Sequence, residues 1–266
     1  MLLTDTHCHL DYDVFDADRE EVIQRAWESG VQRILDPGTD LETSRTAVRI
    51  AETHERVYAA VGVHPNDALS WDEHSLDELR KLAQHPKVVA IGEIGLDYYR
   101  DRAPRELQKA VFTSQLALAS ELSLPVIVHT RQSLTDTLAI MSDWLDNRDT
   151  GSVGRLLCPG VLHSFDGDLA SIERAVSMGL MIGVSGPVTF QNARERQANL
   201  AQAPLANLVL ETDAPFLTPH PHRGRRNEPA YVVLMAEALA KLHAQTVETI
   251  AEVTTANANR LYTWSS

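Results

Sequence analysis

The feature that most constrains this chain is a recurrence of short apolar, β-branched runs, about thirty residues apart and separated by segments of helical periodicity. Eight such runs occur, at Leu2–Thr6, Val31–Asp36, Val57–His64, Val88–Ile94, Pro125–His129, Gly160–His163, Leu180–Ser185 and Leu208–Thr212. Runs that are apolar at nearly every position suit strands buried on both faces, and the long segments between them suit crossover helices. The simplest architecture is one α/β domain over residues 1–266, a (β/α)8 TIM barrel, whose typical size is ~250 residues. A doubly wound open sheet is the alternative, but no Gly-rich phosphate loop follows the first run, where that fold commonly places one.

Several helices carry local signals. The segment after Asp18 offers Val22, Ile23, Ala26 and Trp27 and stops at Gly30. Ser75 and Glu78 have capping-box spacing, with Leu76, Leu79 and Leu82 on one face. Pro104 suits a helix start, and Leu234, Ala238 and Leu242 mark a face near the C-terminus. Asp146–Pro159, with three helix breakers in Gly151, Gly154 and Pro159, reads as an exposed loop rather than a linker.

Charge narrows the class of partner. The chain holds 24 Lys+Arg against 37 Asp+Glu, a net −13, which argues against coating nucleic acid or a membrane surface. A polyanion held locally by metal ions and a few arginines remains compatible. Cys8 and Cys158 cannot form a disulfide framework, and Met1–Asp5 reaches an acid before any signal-peptide pattern develops. The longest charge-free run, Ala175–Ala193, is broken by Gly179, Gly183, Gly186 and Pro187 and makes a poor membrane span. A soluble protein of the reducing cytoplasm is expected, with no obligate protein partner evident.

The chemistry lies in where the polar residues fall. Asp5-Thr6-His7-Cys8-His9 ends the first run, Gly62-Val63-His64-Pro65 the third, Gly92-Glu93-Ile94-Gly95 the fourth, His129 the fifth, His163 the sixth and Glu211-Thr212-Asp213 the eighth. In a (β/α)8 barrel these ends converge on one mouth. One such histidine is ordinarily a satisfied core residue. Several imidazoles and carboxylates on one rim are costly unless something compensates them, and metal ions do so. With side chains alternating along a strand, His7 and His9 face inward and Cys8 faces the helices. Asp5 shares the parity of the two histidines and is placed to orient one of those rings. Glu93, between two glycines, can approach a metal pair closely. Mixed His and carboxylate ligation suits Zn, Mn, Fe or Ni, with Mg less natural at the His-rich position.

These motifs, with Leu96-Asp97-Tyr98 after Gly95, Ala214-Pro215 after Asp213, Arg223-Gly224-Arg225-Arg226-Asn227-Glu228-Pro229 and Asn257-Ala258-Asn259-Arg260-Leu261, resemble those of the TatD family over essentially the whole chain. That family comprises metal-dependent deoxyribonucleases and related hydrolases of the amidohydrolase superfamily. The resemblance implies two divalent cations (Zn, Mn, Mg or Ni). His7 and His9 would hold one and His129 and His163 the other, with Glu93 bridging and Asp213 binding a metal and handling the proton of the attacking water. It also implies DNA, single-stranded or at strand ends, as substrate, cleaved exonucleolytically.

On the substrate side, Arg223, Arg225 and Arg226 follow the eighth run, and guanidinium groups bind phosphate bidentately; a solvated basic loop is the plain alternative. His64 and Arg131 are read as substrate contacts rather than ligands, with a structural role as the alternative. Tyr98 and Tyr99 suit either stacking on a base or packing at the barrel top. Glu211 is either an outer carboxylate of the site or paired with an arginine. Beside the nuclease stand two other readings: a hydrolase of another ester, amide or small phosphoester, and a non-catalytic metal-binding scaffold.

Overall fold

The computed structural model describes residues 1–100, 102–147 and 158–264. All eight apolar runs form strands: β1 Leu3–Asp5, β2 Val31–Pro37, β3 Val57–Val61, β4 Val88–Asp97, β5 Val126–Arg131, β6 Gly160–Leu162, β7 Met181–Val184 and β8 Leu208–Leu210. They pair in parallel, in chain order from β1 to β8. Between them run α1 Arg19–Glu28, α2 Leu41–Thr53, α3 Ser75–Leu82, α4 Arg105–Leu122, α5 Leu134–Asp146, α6 Leu169–Ser177 and α7 Arg194–Gln202. Helices α8 Val232–Leu242 and α9 Val247–Leu261 follow β8. This is the (β/α)8 barrel, and every residue of β3 and β4 is buried, as strands covered on both faces require.

The barrel closes between β1 and β8 just past the strand ends. Thr6 N–H donates to the Leu210 carbonyl at 3.0 Å, Asp213 N–H to His7 at 2.8 Å and His9 N–H to Ala214 at 2.8 Å. Asp5 belongs to this seam. Its carboxylate accepts from the Thr212 N–H at 2.9 Å and the Thr212 hydroxyl at 2.6 Å, so it ties two distant segments together instead of orienting a histidine ring.

At α3 and α8 the local signals differ from expectation, whereas the start of α4 agrees with it. Ser75 opens α3 but caps nothing with Glu78. Its hydroxyl donates to Asp72 at 2.9 Å, and Glu78 pairs across the surface with Lys81 and Arg45. Pro104 precedes α4 as its cap residue, one position before the first helical turn. Helix α8 is apolar almost all round, and the face it buries is Val232, Met235, Ala236 and Leu239, beside the one marked by Leu234 and Ala238. Of the expected 146–159 loop, residues 148–157 lie outside the described residues.

Glycines set the spacing of the strands that carry the site. Gly95 has φ +137°, a conformation that side chains resist, and a Cβ there would run into the His129 carbonyl. At Gly92 a Cβ would lie 2.6 Å from Ile127 Cβ. Strands β4 and β5 therefore approach as backbones, which brings Glu93 and His129 within reach of each other. Gly95→Ala is expected to lose about 2–4 kcal/mol of stability from overpacking and strain. Calorimetry should register this as a Tm lower by roughly 5–10 °C; an unchanged Tm would mean that the two strands separate without cost.

Candidate metal centre

His7 and His9 lie just beyond β1, on a segment that keeps strand-like alternation, so Cys8 between them is fully buried in the apolar layer. His9 Nδ1 lies 3.0 Å from the Pro37 carbonyl, a bond only a protonated Nδ1 can make. Its Nε2 lone pair is thereby aimed into the barrel mouth, 3.2 Å from Nε2 of His7. Two carboxylates meet this pair. Asp213 Oδ1 is 3.7 Å from each Nε2, and Glu93 Oε2 is 3.4 Å from His7 Nε2 and 3.7 Å from His9 Nε2.

The other oxygen of Glu93 faces a different set of rings. Oε1 lies 2.8 Å from His129 Nδ1 and 3.7 Å from His64 Nε2. His163 stacks on His7 with ring centroids 3.5 Å apart and points Nε2 at Asp213 Oδ1, 3.4 Å away. Glu93, His7, His9, His129, His163 and Asp213 thus converge, but with a different partition from the one the resemblance implies. His163 stands on the His7 and Asp213 side, and His64 is the ring that shares Glu93 Oε1 with His129. Ligand atoms of His7, His9 and Asp213 lie within 4.8 Å of one another, as do those of His64, Glu93 and His129, and those of His7, His163 and Glu211. Nitrogen lone pairs and carboxylate oxygens converging at such spacing fit divalent cations.

Outer residues hold the rings. Asp97 Oδ2 lies 3.3 Å from His129 Nε2, while its Oδ1 accepts the N–H groups of Tyr99 and Arg100 at 2.9 Å each. Glu211 Oε1 lies 3.1 Å from His163 Nδ1 and accepts the Ser164 N–H at 2.5 Å, resolving its two readings in favour of the site. Asp213 itself adopts φ +57°, a left-handed conformation uncommon for a side-chain-bearing residue and tolerated best by Asp and Asn. Residues so held cluster at functional sites.

Electrostatics follow from this packing. Burial alone would raise the Glu93 carboxyl, but His64, His7 and His129 outweigh it and hold it well below the usual carboxylate range. Burial alone would lower His129, but Asp97 and Glu93 raise it to about 9. Burial likewise opposes His163, and Glu211 and Asp213 overcome it to push that ring well up. His64 goes the other way, down to about 3, through burial reinforced by His129. Because His64 Nδ1 accepts the Asn66 N–H at 3.0 Å, its neutral ring carries the proton on Nε2. It faces the mouth as a hydrogen-bond donor, which suits substrate contact better than ligation.

A cavity of about 270 Å3 opens over these groups. Tyr12, stacked on His9 at 4.9 Å, and Phe216, edge-on to Tyr12 at 5.6 Å, form an aromatic wall, and Arg100 and Arg102 also line it. These four residues escaped the sequence reading. The two arginines stand three and five positions beyond Asp97, on the rim where the fourth run ends, so the positional rule contained the signal.

The arginines expected to contact substrate separate in space. Arg131 lies outside the cavity lining, its guanidinium 4.1 Å from the centroid of the Tyr99 ring. Arg223 stacks on Phe190 at 4.1 Å beside a neighbouring cavity, and Arg225 is exposed. Arg226 is committed to a clamp: it donates to both oxygens of Asp18, at 2.8 and 2.5 Å, and to the Val14 carbonyl at 2.7 Å. This clamp engages three of its five N–H groups and turns the guanidinium towards Asp18.

Glu211→Gln keeps volume and removes the charge behind His163. Zinc or manganese titration should show affinity lower by about 10–100-fold. Unchanged affinity would reduce Glu211 to an anchor for the Ser164 backbone.

Comparison with known proteins agrees with the barrel and with a metal-dependent hydrolase. Residues 4–263 match the family described as TatD related DNase. The chain is 42% identical over 261 residues to YabD of Bacillus subtilis, described as an uncharacterized metal-dependent hydrolase, covering 98% of this chain and 99% of that protein. It is 38% identical over 254 residues to a protein of Cronobacter sakazakii named 3'-5' ssDNA/RNA exonuclease TatD, covering 93% of both. The crystal structure of YjjV, a TatD homologue from Escherichia coli K12, superposes with a TM-score of 0.90 at 34% identity, covering 98% of this chain and 97% of that one. This chain belongs to the TatD family of metal-dependent hydrolases.

Proposed function

We propose that the protein cleaves phosphodiester bonds of single-stranded DNA, removing nucleotides from a chain end. The observation that carries this reading is Glu93, whose two oxygens face two separate sets of ligand atoms beneath a cavity edged by Arg100 and Arg102. A carboxylate so placed suits a bridge between two divalent cations (Zn, Mn, Mg or Ni), with His7, His9 and Asp213 at one position and His129 at the other. His163, against Asp213 and His7, completes the set. When bound, the cations supply Lewis acidity: they make a water acidic near neutral pH and offset charge on phosphoryl oxygens.

The chain's own groups do the rest. Asp213 Oδ1 takes the proton of the attacking water, since its histidine neighbours keep it ionised against the effect of burial. His64 donates from Nε2 to a phosphoryl oxygen, and Arg100 and Arg102 draw the flanking phosphate towards the mouth against the overall −13 charge. The aromatic wall of Tyr12 and Phe216 receives a base. The small cavity supports cleavage at an end, and the name of the Cronobacter relative supports a single-stranded substrate. Among the described residues no helix is long and apolar enough to cross a membrane. The buried thiols Cys8 and Cys158 support a reducing, cytoplasmic setting.

The test is digestion of end-labelled single-stranded DNA by metal-stripped protein reconstituted with Mg, Mn or Zn. Laddered shortening that requires metal is expected, and Asp213→Asn should lose about 10²–10⁴-fold in turnover while retaining metal. No shortening by metal-loaded protein would move the assignment to another ester or amide; equal loss of metal and turnover would make Asp213 a ligand only. Because His129 titrates at about 9 without metal, it must shed a proton to ligate at pH 7. Calorimetry in buffers of different ionisation enthalpy should record proton release on loading at pH 7, to which His163, also raised, contributes. The His129→Ala variant should release about one proton fewer. An unchanged count in that variant would exclude His129 as a ligand.

A further inference from the structure

A second cavity, of about 310 Å3, lies beside the metal cavity and is lined by Phe190, Gln191, Asn192, His220 and Arg223. It sits on the same rim. Phe190 closes the short segment after β7, His220 and Arg223 belong to the segment after β8, and these two strands are neighbours in the barrel. Phe216, at the wall of the metal cavity, is four residues before His220, so the Cα atoms of the two are at most about 14 Å apart along the chain. The segment after β8 therefore lines both cavities.

The walls of this second cavity are built. His220 N–H donates to the Thr189 hydroxyl at 2.8 Å and locks the two segments together. From α7, the Gln197 amide donates to the carbonyls of Val188 at 2.8 Å and Phe190 at 3.1 Å. Its functional groups, by contrast, are unengaged. Among the described residues Arg223 has no carboxylate partner, and the side chains of Gln191, Asn192 and His220 make no hydrogen bond to protein. A guanidinium lying on an aromatic face keeps its N–H edges free for phosphate. Amide side chains carry both donors and acceptors, as the edge of a nucleobase does.

We propose that this cavity is a nucleotide subsite: it holds the base and phosphate of a nucleotide farther along the strand whose terminal phosphodiester lies at the metal centre. Phe190 and Arg223 stack on the base and grip the phosphate, while Gln191 and Asn192 meet the base edge. The proposal rests on the nuclease reading and adds a requirement for chain length. A substrate with a single phosphodiester reaches only the metal cavity, whereas an oligonucleotide reaches both.

The test compares the thymidine dinucleotide with octathymidylate, using metal-loaded wild-type protein, Phe190→Ala, Arg223→Ala and the double variant. KM for the octanucleotide should rise about tenfold or more, as loss of base stacking predicts. Both kcat and KM for the dinucleotide should stay within about twofold in the same variants, which also shows that the metal centre is intact. Equal losses on both substrates, or no change on the octanucleotide, would overturn the subsite. Fluorescence anisotropy of labelled octathymidylate, with metal-loaded protein in the Asp213→Asn background, gives a second readout. If wild-type protein cleaves neither substrate, the nuclease reading fails by itself and the anisotropy decides. Binding weakened by the variants sustains the subsite; binding that is absent, or indifferent to them, overturns it.

Discussion

A buried carboxylate among imidazoles governs this structure. Glu93 is 3% exposed, with imidazole nitrogens within 3.7 Å of both its oxygens. An ion there is tolerated only if positive charge stays close, and the surrounding groups provide for that in layers. Asp97 and Glu93 together hold His129 as a cation, and Glu211 with Asp213 does the same for His163. Under the proposed function, divalent cations would meet the same electrostatic demand that the protons on these imidazoles meet, and the acids behind the rings raise the basicity that ligation would use.

The barrel supplies what such a cluster needs mechanically. The charged groups come from β1, β4, β5, β6 and β8, so no local element can assemble them, and only closure of the sheet brings them together. The seam between β1 and β8 carries part of the site. The hydrogen bonds that close it involve the backbones of His7, His9 and Asp213 themselves. Asp5 and Thr212 buttress that junction from beneath. The absence of side chains at Gly92 and Gly95 lets β4 ride close on β5, which fixes the distance between Glu93 and His129.

How much of this is legible in the sequence depends on the range of the interaction. The eight strands are legible because burial on both faces makes each a continuous apolar run. The converging His, Glu and Asp residues are legible because strand ends share one mouth. Helix α7 is not, since it buries only Leu200 and carries no apolar stripe. The parity that put Asp5 with His7 and His9 was sound, yet its partner, Thr212, is 207 residues away. Ser75 and Glu78 have the spacing of a capping box, but Asp72 competes for the serine hydroxyl. Arg226 looks like Arg223 and Arg225 in a linear reading, and only the packing of its loop on Asp18 and Val14 distinguishes it.

That last distinction bears on how an acidic protein meets a polyanion. Two roles divide the rim arginines, and each residue can fill only one. A guanidinium held bidentately by a carboxylate, as Arg226 is by Asp18, has its field offset and most of its donors engaged, so it gives the loop shape more than attraction. Arg223 rests on an aromatic ring and keeps its charge, because a ring quadrupole attracts a cation without neutralising it. Arg100 and Arg102 line the cavity over the carboxylates of the centre. Under the proposed function, a strand approaching this acidic surface would meet attraction along the line from Arg223 past Arg100 and Arg102 to Glu93. In a chain with a net charge of −13, the placement of a few arginines would thus guide it.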